Sequence, residues 1–304
     1  MPAPRVALAP AGVPPWVAEA IVAGGGELVA PAEAEALVWF GPPDPDGLEP
    51  VLAEATGASW VQLPWAGIEP YVGLLTPDRT WTCGKGVYAE PVAEHALALG
   101  LAGLRGLPQR ARATSWGRQG GRTLIDGRVT VVGGGGITEA LLALLAPFRC
   151  EVTVVRRHPD SVPGAARVLG SEHLDDALPG ADLVVLALAL TPETAGLVGA
   201  AQLDQMEGHA WLVNVARGAH VVTDDLAVAL REGRIGGAGI DVTDPEPLPE
   251  GHPLWDEPRC IITPHTANTL AMARPHVEAR ITENVRRFGA GEDLVGLVDL
   301  DLGY

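Results

Sequence analysis

Residues 128–155 constrain the fold more than any other part of the chain. Arg128-Val-Thr-Val-Val132 reads as a fully buried strand and Gly133-Gly-Gly-Gly-Ile-Thr138 as a glycine turn. Residues 137–148 read as a helix with apolar side chains at 137, 141, 144, 145 and 148, and 151–155 as a second strand. This is one βαβ unit, and it commits the chain to a parallel sheet covered by helices. Further strand candidates at 183–190, 210–215, 236–242 and 260–263 extend that sheet. Between them, 223–231 reads as a helix with Thr223 as its cap, Asp224 and Asp225 in its first turn and Gly233 past its end. The fold class is therefore α/β, with a doubly wound parallel sheet.

A second α/β region precedes it. From residue 5 to about 90, short apolar runs at 6–9, 36–40 and 60–63 alternate with Pro/Gly punctuation and Ala/Glu-rich stretches of helical period. A helix then starts at Glu90-Pro91 and runs to about Arg112, long enough to connect two domains. A chain of 304 residues usually divides in two. The expected division is 1–93, completed by 274–304 returning from the other part, and 94–273 as the dinucleotide-binding domain.

Composition removes several function classes. With 47% hydrophobic residues the chain is not disordered, and its net charge of −17 repels nucleic acids and anionic lipid headgroups. No apolar stretch approaches the roughly 18–20 residues of a membrane span. The N-terminus lacks the charged and apolar regions of a secretory signal, and Cys83, Cys150 and Cys260 form no CxxC pair. The expectation is a reduced, cytoplasmic protein without a metal site, since no His/Asp/Glu spacing suggests one.

The glycine turn supplies what a dinucleotide pyrophosphate needs: a tight turn, a side-chain-free approach and a helix N-terminus, at Gly133, Gly135, Gly136 and Ile137. Thr138 occupies the third glycine position, where helix and strand normally pack closest. NAD-binding sites usually place an acidic residue at the end of the second strand, and here the residues are Arg156, Arg157 and His158. Two guanidiniums favour a 2′-phosphate, hence NADP over NAD. His158 is left open between that phosphate and solvent.

Three segments end strands on the edge where parallel sheets bind ligands: NVARG with Arg217, GIDVTDPEP with Asp241 and Glu246, and TPHTA with His265. One Arg, one Glu and one His are what reduction of a 2-oxo acid requires: a cation for the carboxylate, a proton donor to the carbonyl, and an orienter for that donor. A carboxylate beside an imidazole favours its protonated form.

With these segments, and with WVQLPWAGIE, AEPVAEHALAL and LALTPETAGL in order before them, the sequence resembles the D-isomer-specific 2-hydroxyacid dehydrogenases from about Trp60 to Asn284. The resemblance implies a Rossmann cofactor domain and a smaller flavodoxin-like α/β substrate domain. It makes Arg217 the carboxylate and carbonyl ligand, His265 the general acid/base and Glu246 its partner. Leu188, Thr194, Val215, Ala216 and Asp241 become cofactor contacts, with Asp241 on the nicotinamide side. Trp65, Ala66 and Gly67 become substrate contacts, the backbone at 66–67 taking the other end of the carboxylate. It also implies a homodimer through the helix after Glu94, which is apolar on nearly every face. The expected activity is NAD(P)-dependent interconversion of a small 2-oxo acid and a D-2-hydroxy acid. Two alternatives stay open. One is phosphoglycerate dehydrogenase-like activity, disfavoured because the chain stops at Tyr304 without room for a regulatory domain. The other is a nucleotide-sensing scaffold, disfavoured by the intact Arg217, Glu246 and His265. His95 reads as a core or interdomain residue, and His173, His209, His220, His252 and His276 as structural or solvated.

Overall fold

Runs of apolar residues with no polar alternation form strands buried on both faces, and strands of this kind lie within both sheets of this chain. The computed structural model describes residues 2–300 and 302. It divides into two units, one comprising the chain up to Tyr88 together with everything from Thr269 on, the other Ala89–Asn268. The sequence reading set these limits at 93/94 and 273/274. The observed limits fall where helices begin, at Ala89–Leu104 and at Leu270–Ala290, whose cap is Thr269.

The first unit holds five parallel strands, β1 (Arg5–Ala9), β2 (Glu27–Leu28), β3 (Ala36–Trp39), β4 (Trp60–Gln62) and β5 (Thr80–Thr82), in the order β2-β1-β3-β4-β5. This is the flavodoxin-like order. All four residues of β3 are buried. Strands β2 and β5 escaped the sequence reading because they lie at the edges: β2 is exposed at both residues and β5 opens on an exposed Thr80. Helix Leu270–Ala290 packs on helix Pro15–Ala23, where Thr282 Oγ1 donates to the Ala20 carbonyl at 3.1 Å. Its buried Asn284 donates to Gln62 Oε1 at 2.8 Å and to the Val295 carbonyl at 2.9 Å, and accepts from the Val295 amide at 2.8 Å. Thr82 and Trp60 complete this network on the sheet side.

The second unit holds seven parallel strands: β6 (Arg128–Val132), β7 (Glu151–Arg156), β8 (Arg167–Gly170), β9 (Leu183–Leu186), β10 (Trp211–Asn214), β11 (Gly237–Ile240) and β12 (Cys260–Ile262). Their order is β12-β11-β10-β9-β6-β7-β8, so the winding reverses between β6 and β9. Ligands of doubly wound sheets bind at the carboxyl ends beside that reversal. Val132 is in register with Val155 and with Leu186, which brings Gly133, Arg156 and Ala187 to one edge.

Three local readings are corrected. The helix expected from Glu90 to Arg112 breaks after Leu104, because Gly106 is left-handed, and restarts as Leu107–Ala111. It buries one face, formed by Val92, Ala93, Ala96, Leu99, Gly100, Gly103 and Leu104, while Leu97 and Leu101 beside that face stay partly exposed. In helix Thr223–Glu232 the cap position is Val222, and the Thr223 hydroxyl donates instead to the Asp244 carbonyl at 2.7 Å.

Candidate active site

The glycine turn is built around Gly133. Its φ of +123° is open to glycine alone, and a Cβ there would lie 2.0 Å from the Ala187 carbonyl oxygen. Its amide donates to the Val155 carbonyl at 2.8 Å, tying the turn to β7. Thr138 fits the third glycine position: it is fully buried and its hydroxyl donates to the Gly133 carbonyl at 3.0 Å. Gly135 faces open space, and Gly136 and Ile137 begin helix Gly136–Leu145, so their amides have no acceptor inside it. An approaching pyrophosphate would meet free N–H groups, with no side chain over Gly135, and the turn therefore fits a dinucleotide.

Arg156 ends β7 and lies over Gly134, where an added Cβ would come within 2.7 Å of its Nε. Arg157 is exposed and near Glu193, whose carboxyl is held below its ordinary value mainly by a hydrogen bond from Thr191, with Arg157's charge a smaller cause. Leu188 and Thr194 lie on the loop that leaves β9, four residues earlier than the expected strand end at 190. Buried His220 holds this loop, with Nδ1 3.0 Å from the Thr194 carbonyl and Nε2 3.3 Å from that of Leu188. The sequence reads His220 as structural or solvated, and its burial against this loop makes it structural.

Val215, Ala216 and Arg217 leave the carboxyl end of β10, the first two buried. Asn214 fixes their path, donating to the Arg217 carbonyl at 2.8 Å and accepting from the Ala216 amide at 3.1 Å. The Arg217 guanidinium donates back to the Ala216 carbonyl at 2.7 Å.

His265 and Glu246 are brought together from the loops after β12 and β11. Nδ1 of His265 lies 2.7 Å from Glu246 Oε1, with about half of each side chain exposed. His265 sits at φ +49°, an uncommon conformation for a side-chain-bearing residue and one that clusters at functional sites. Buried Asp241 maintains it. Oδ1 accepts from the Thr263 hydroxyl at 2.5 Å and from the Thr266 amide at 2.9 Å, and Oδ2 accepts from the Ala267 amide at 2.9 Å. The Asp241 carbonyl accepts the His265 amide at 2.8 Å. His95 reaches the same cluster, its Nε2 3.0 Å from Thr263 Oγ1 and 3.5 Å from Asp241 Oδ1. His95 is therefore a member of this polar network.

Trp65, Ala66 and Gly67 follow β4 in the other unit. The Trp65 indole donates to the Gly41 carbonyl at 3.2 Å, and its own carbonyl accepts from Gly84 at 3.0 Å. The amides of Ala66, Gly67 and Ile68 meet no acceptor among the described residues. No helix among those residues is long and apolar enough to cross a membrane.

A doubly wound sheet with such a turn at its reversal point places the protein in the dinucleotide-binding class. The model of the D-isomer specific 2-hydroxyacid dehydrogenase NAD-binding domain matches residues 96–267, more than half of the chain, which belongs to that family and is an NAD(P)-dependent oxidoreductase. It is similar to an uncharacterized protein in the proB 3′ region of Corynebacterium melassecola, 36% identical over 94% of this chain and 95% of that one. It is also similar to glyoxylate/hydroxypyruvate reductase A of Photorhabdus laumondii, 31% identical over 88% of this chain and 87% of the relative. Among solved structures, the D-isomer specific 2-hydroxyacid dehydrogenase of Xanthobacter autotrophicus Py2, in complex with NADPH and MES, superposes with a TM-score of 0.86 at 30% identity over the whole of both chains.

Proposed function

We propose that this protein reduces a small 2-oxo acid to the D-2-hydroxy acid, and runs the reverse reaction, with His265 as general acid/base, Glu246 as its orienter and Arg217 as the ligand of the substrate carboxylate. The observation that carries this reading is the 2.7 Å contact between His265 Nδ1 and Glu246 Oε1. With Nδ1 engaged by the carboxylate, Nε2 is the nitrogen left to hold the proton for the substrate oxygen. Arg217 offers a planar fork to a carboxylate, and the backbone after β10 that carries it is fixed by Asn214.

The glycine turn, with Gly133, Gly135, Gly136 and Ile137, would hold the cofactor, which supplies the hydride when bound. Leu188, Thr194, Val215 and Ala216 flank it on the same sheet edge. Arg156 and Arg157 support NADP as the preferred form, since each offers a charge-assisted contact to a 2′-phosphate. Asp241 acts through the loop it holds. The five-stranded unit is the substrate domain, and its free amides at Ala66 and Gly67, beside Trp65, are the groups it offers to a carboxylate. The protein works in the cytoplasm as a homodimer. Oxidation of NADPH by glyoxylate, hydroxypyruvate and larger 2-oxo acids, followed at 340 nm, tests the reading. Turnover that survives in His265→Ala at the wild-type rate would end it.

A further inference from the structure

The carboxyl edge of the five-stranded sheet carries an aromatic stack that the proposed chemistry does not use. Trp16 meets Phe40 edge-on, with ring centroids 5.0 Å apart and planes at 78°. Phe40 lies 6.0 Å from Trp65, and Trp65 lies 6.1 Å from Tyr88 with the planes tilted by 30°. Trp16 and Phe40 are 7% exposed and Tyr88 9%, whereas Trp65 is only half-buried, so Trp65 presents the open face of the stack.

That face is fixed, and its polar atoms are engaged elsewhere. The Trp65 indole N–H donates to the Gly41 carbonyl, and the Tyr88 hydroxyl donates to the Pro64 carbonyl at 2.5 Å. Gly84 presses against the same place from behind: a Cβ there would lie 2.6 Å from the Pro64 carbonyl oxygen and 2.7 Å from Tyr88 Cε2. Arg280 is directed at this loop, its guanidinium donating to the carbonyls of Cys83 at 3.1 Å and Lys85 at 3.0 Å. The result is a rigid apolar platform immediately before three consecutive unsatisfied amides at 66–68, an arrangement of N–H groups suited to an anion.

We infer that Trp65 determines substrate specificity, and that the preferred substrates are 2-oxo acids whose side chain is aromatic or branched and apolar, laid on the Trp65 ring. The inference rests on the reading that the 66–67 turn takes the substrate carboxylate. A carboxylate held by the Ala66 and Gly67 amides at about 2.9 Å keeps its carbon and the next one within roughly 4–6 Å of the backbone that directly follows Trp65. A 3-hydroxyl laid on the Trp65 ring would lose water there, because the ring face carries no polar atom and the indole N–H is already bonded to Gly41. An apolar group gains about fourfold per buried methylene, and therefore on the order of 10²-fold for an isobutyl or benzyl side chain over hydrogen.

The test is kcat/KM with NADPH for glyoxylate, hydroxypyruvate, 4-methyl-2-oxopentanoate and phenylpyruvate, in the wild type, Trp65→Phe and Trp65→Ala. The two large apolar acids should exceed glyoxylate by about 10²-fold. Trp65→Ala should cut that ratio at least tenfold, mainly through KM, and Trp65→Phe should keep most of it. Glyoxylate or hydroxypyruvate as the best wild-type substrate overturns the inference and leaves the dehydrogenase reading standing, as does a ratio unchanged in Trp65→Ala. Absence of turnover with every 2-oxo acid overturns both. Should Trp65→Ala fail to fold, judged by circular dichroism, the wild-type ranking and Trp65→Phe decide.

Discussion

The roles proposed for His265 and Arg217 are separable by single substitutions. Removing the proton donor in His265→Ala should lower kcat by roughly 10²- to 10⁴-fold while leaving NADPH binding near wild type, measured by fluorescence titration. Arg217→Ala removes charge-assisted bonds worth about 1.5–3 kcal/mol each, so kcat/KM should fall by roughly 10²-fold or more with KM raised. Cofactor preference follows the same logic. NADPH should bind about ten- to a hundredfold tighter than NADH, less so as salt rises, and Arg156→Asp should reverse the order. Equal dissociation constants for the two cofactors at low salt would refute this. These residues were legible in the sequence because each sits at a fixed offset from a strand end: Arg217 three residues after Asn214, and His265 three after Ile262. His95, His220 and the loop-holding role of Asp241 were not, because their partners are backbone groups and side chains 22 to 168 residues away, and no local pattern marks such pairs.

Strands with unbroken apolar runs, such as β3 and β9, could be read to within a few residues, since burial on both faces demands that composition. β2, β5 and β8 could not, because an edge strand needs no apolar run. The linkage of elements across the chain was equally hidden. Asn284 joins helix Leu270–Ala290 to Gln62 on β4, so Asn284→Leu would strand the Val295 amide and carbonyl and leave Gln62 Oε1 with Thr82 alone. The expected cost is about 2–4 kcal/mol in urea unfolding, at roughly 1–3 per unsatisfied group. Asp182, just before β9, gives a pH-dependent counterpart. Burial raises its carboxyl, but the Arg128 amide, His209 and Arg122 outweigh that and hold it below the ordinary value. A lowered folded-state value means that its stabilisation is complete above the unfolded value near 3.9 and is lost as pH falls through the lower folded one. Asp182→Asn should therefore be less stable than wild type at pH 7, with the gap closing below about pH 4. A gap independent of pH would mean that charge is not the cause.

A chain with a net charge of −17 repels its own copies, so assembly requires a surface that overcomes that repulsion. Helix Ala89–Leu104 supplies an apolar stripe, with Leu97 and Leu101 partly exposed along the border of its packed face. The segment that follows, 105–122, carries Arg105, Arg110, Arg112, Arg118 and Arg122 without a single carboxylate, and in its midst Trp116 is 96% exposed. A basic, aromatic strip on an otherwise acidic protein is complementary to the rest of that protein's surface, and the partner it suits is a second copy of the same chain. The solution mass by light scattering should be twice the 31.6 kDa of one protomer. Leu97→Glu combined with Leu101→Glu should return it to a single protomer, because like charges would then face each other across a desolvated contact. Since the two leucines lie off the packed face, the double variant should keep its fold and its affinity for NADPH. A wild-type protein of protomer mass at micromolar concentration would refute the dimer.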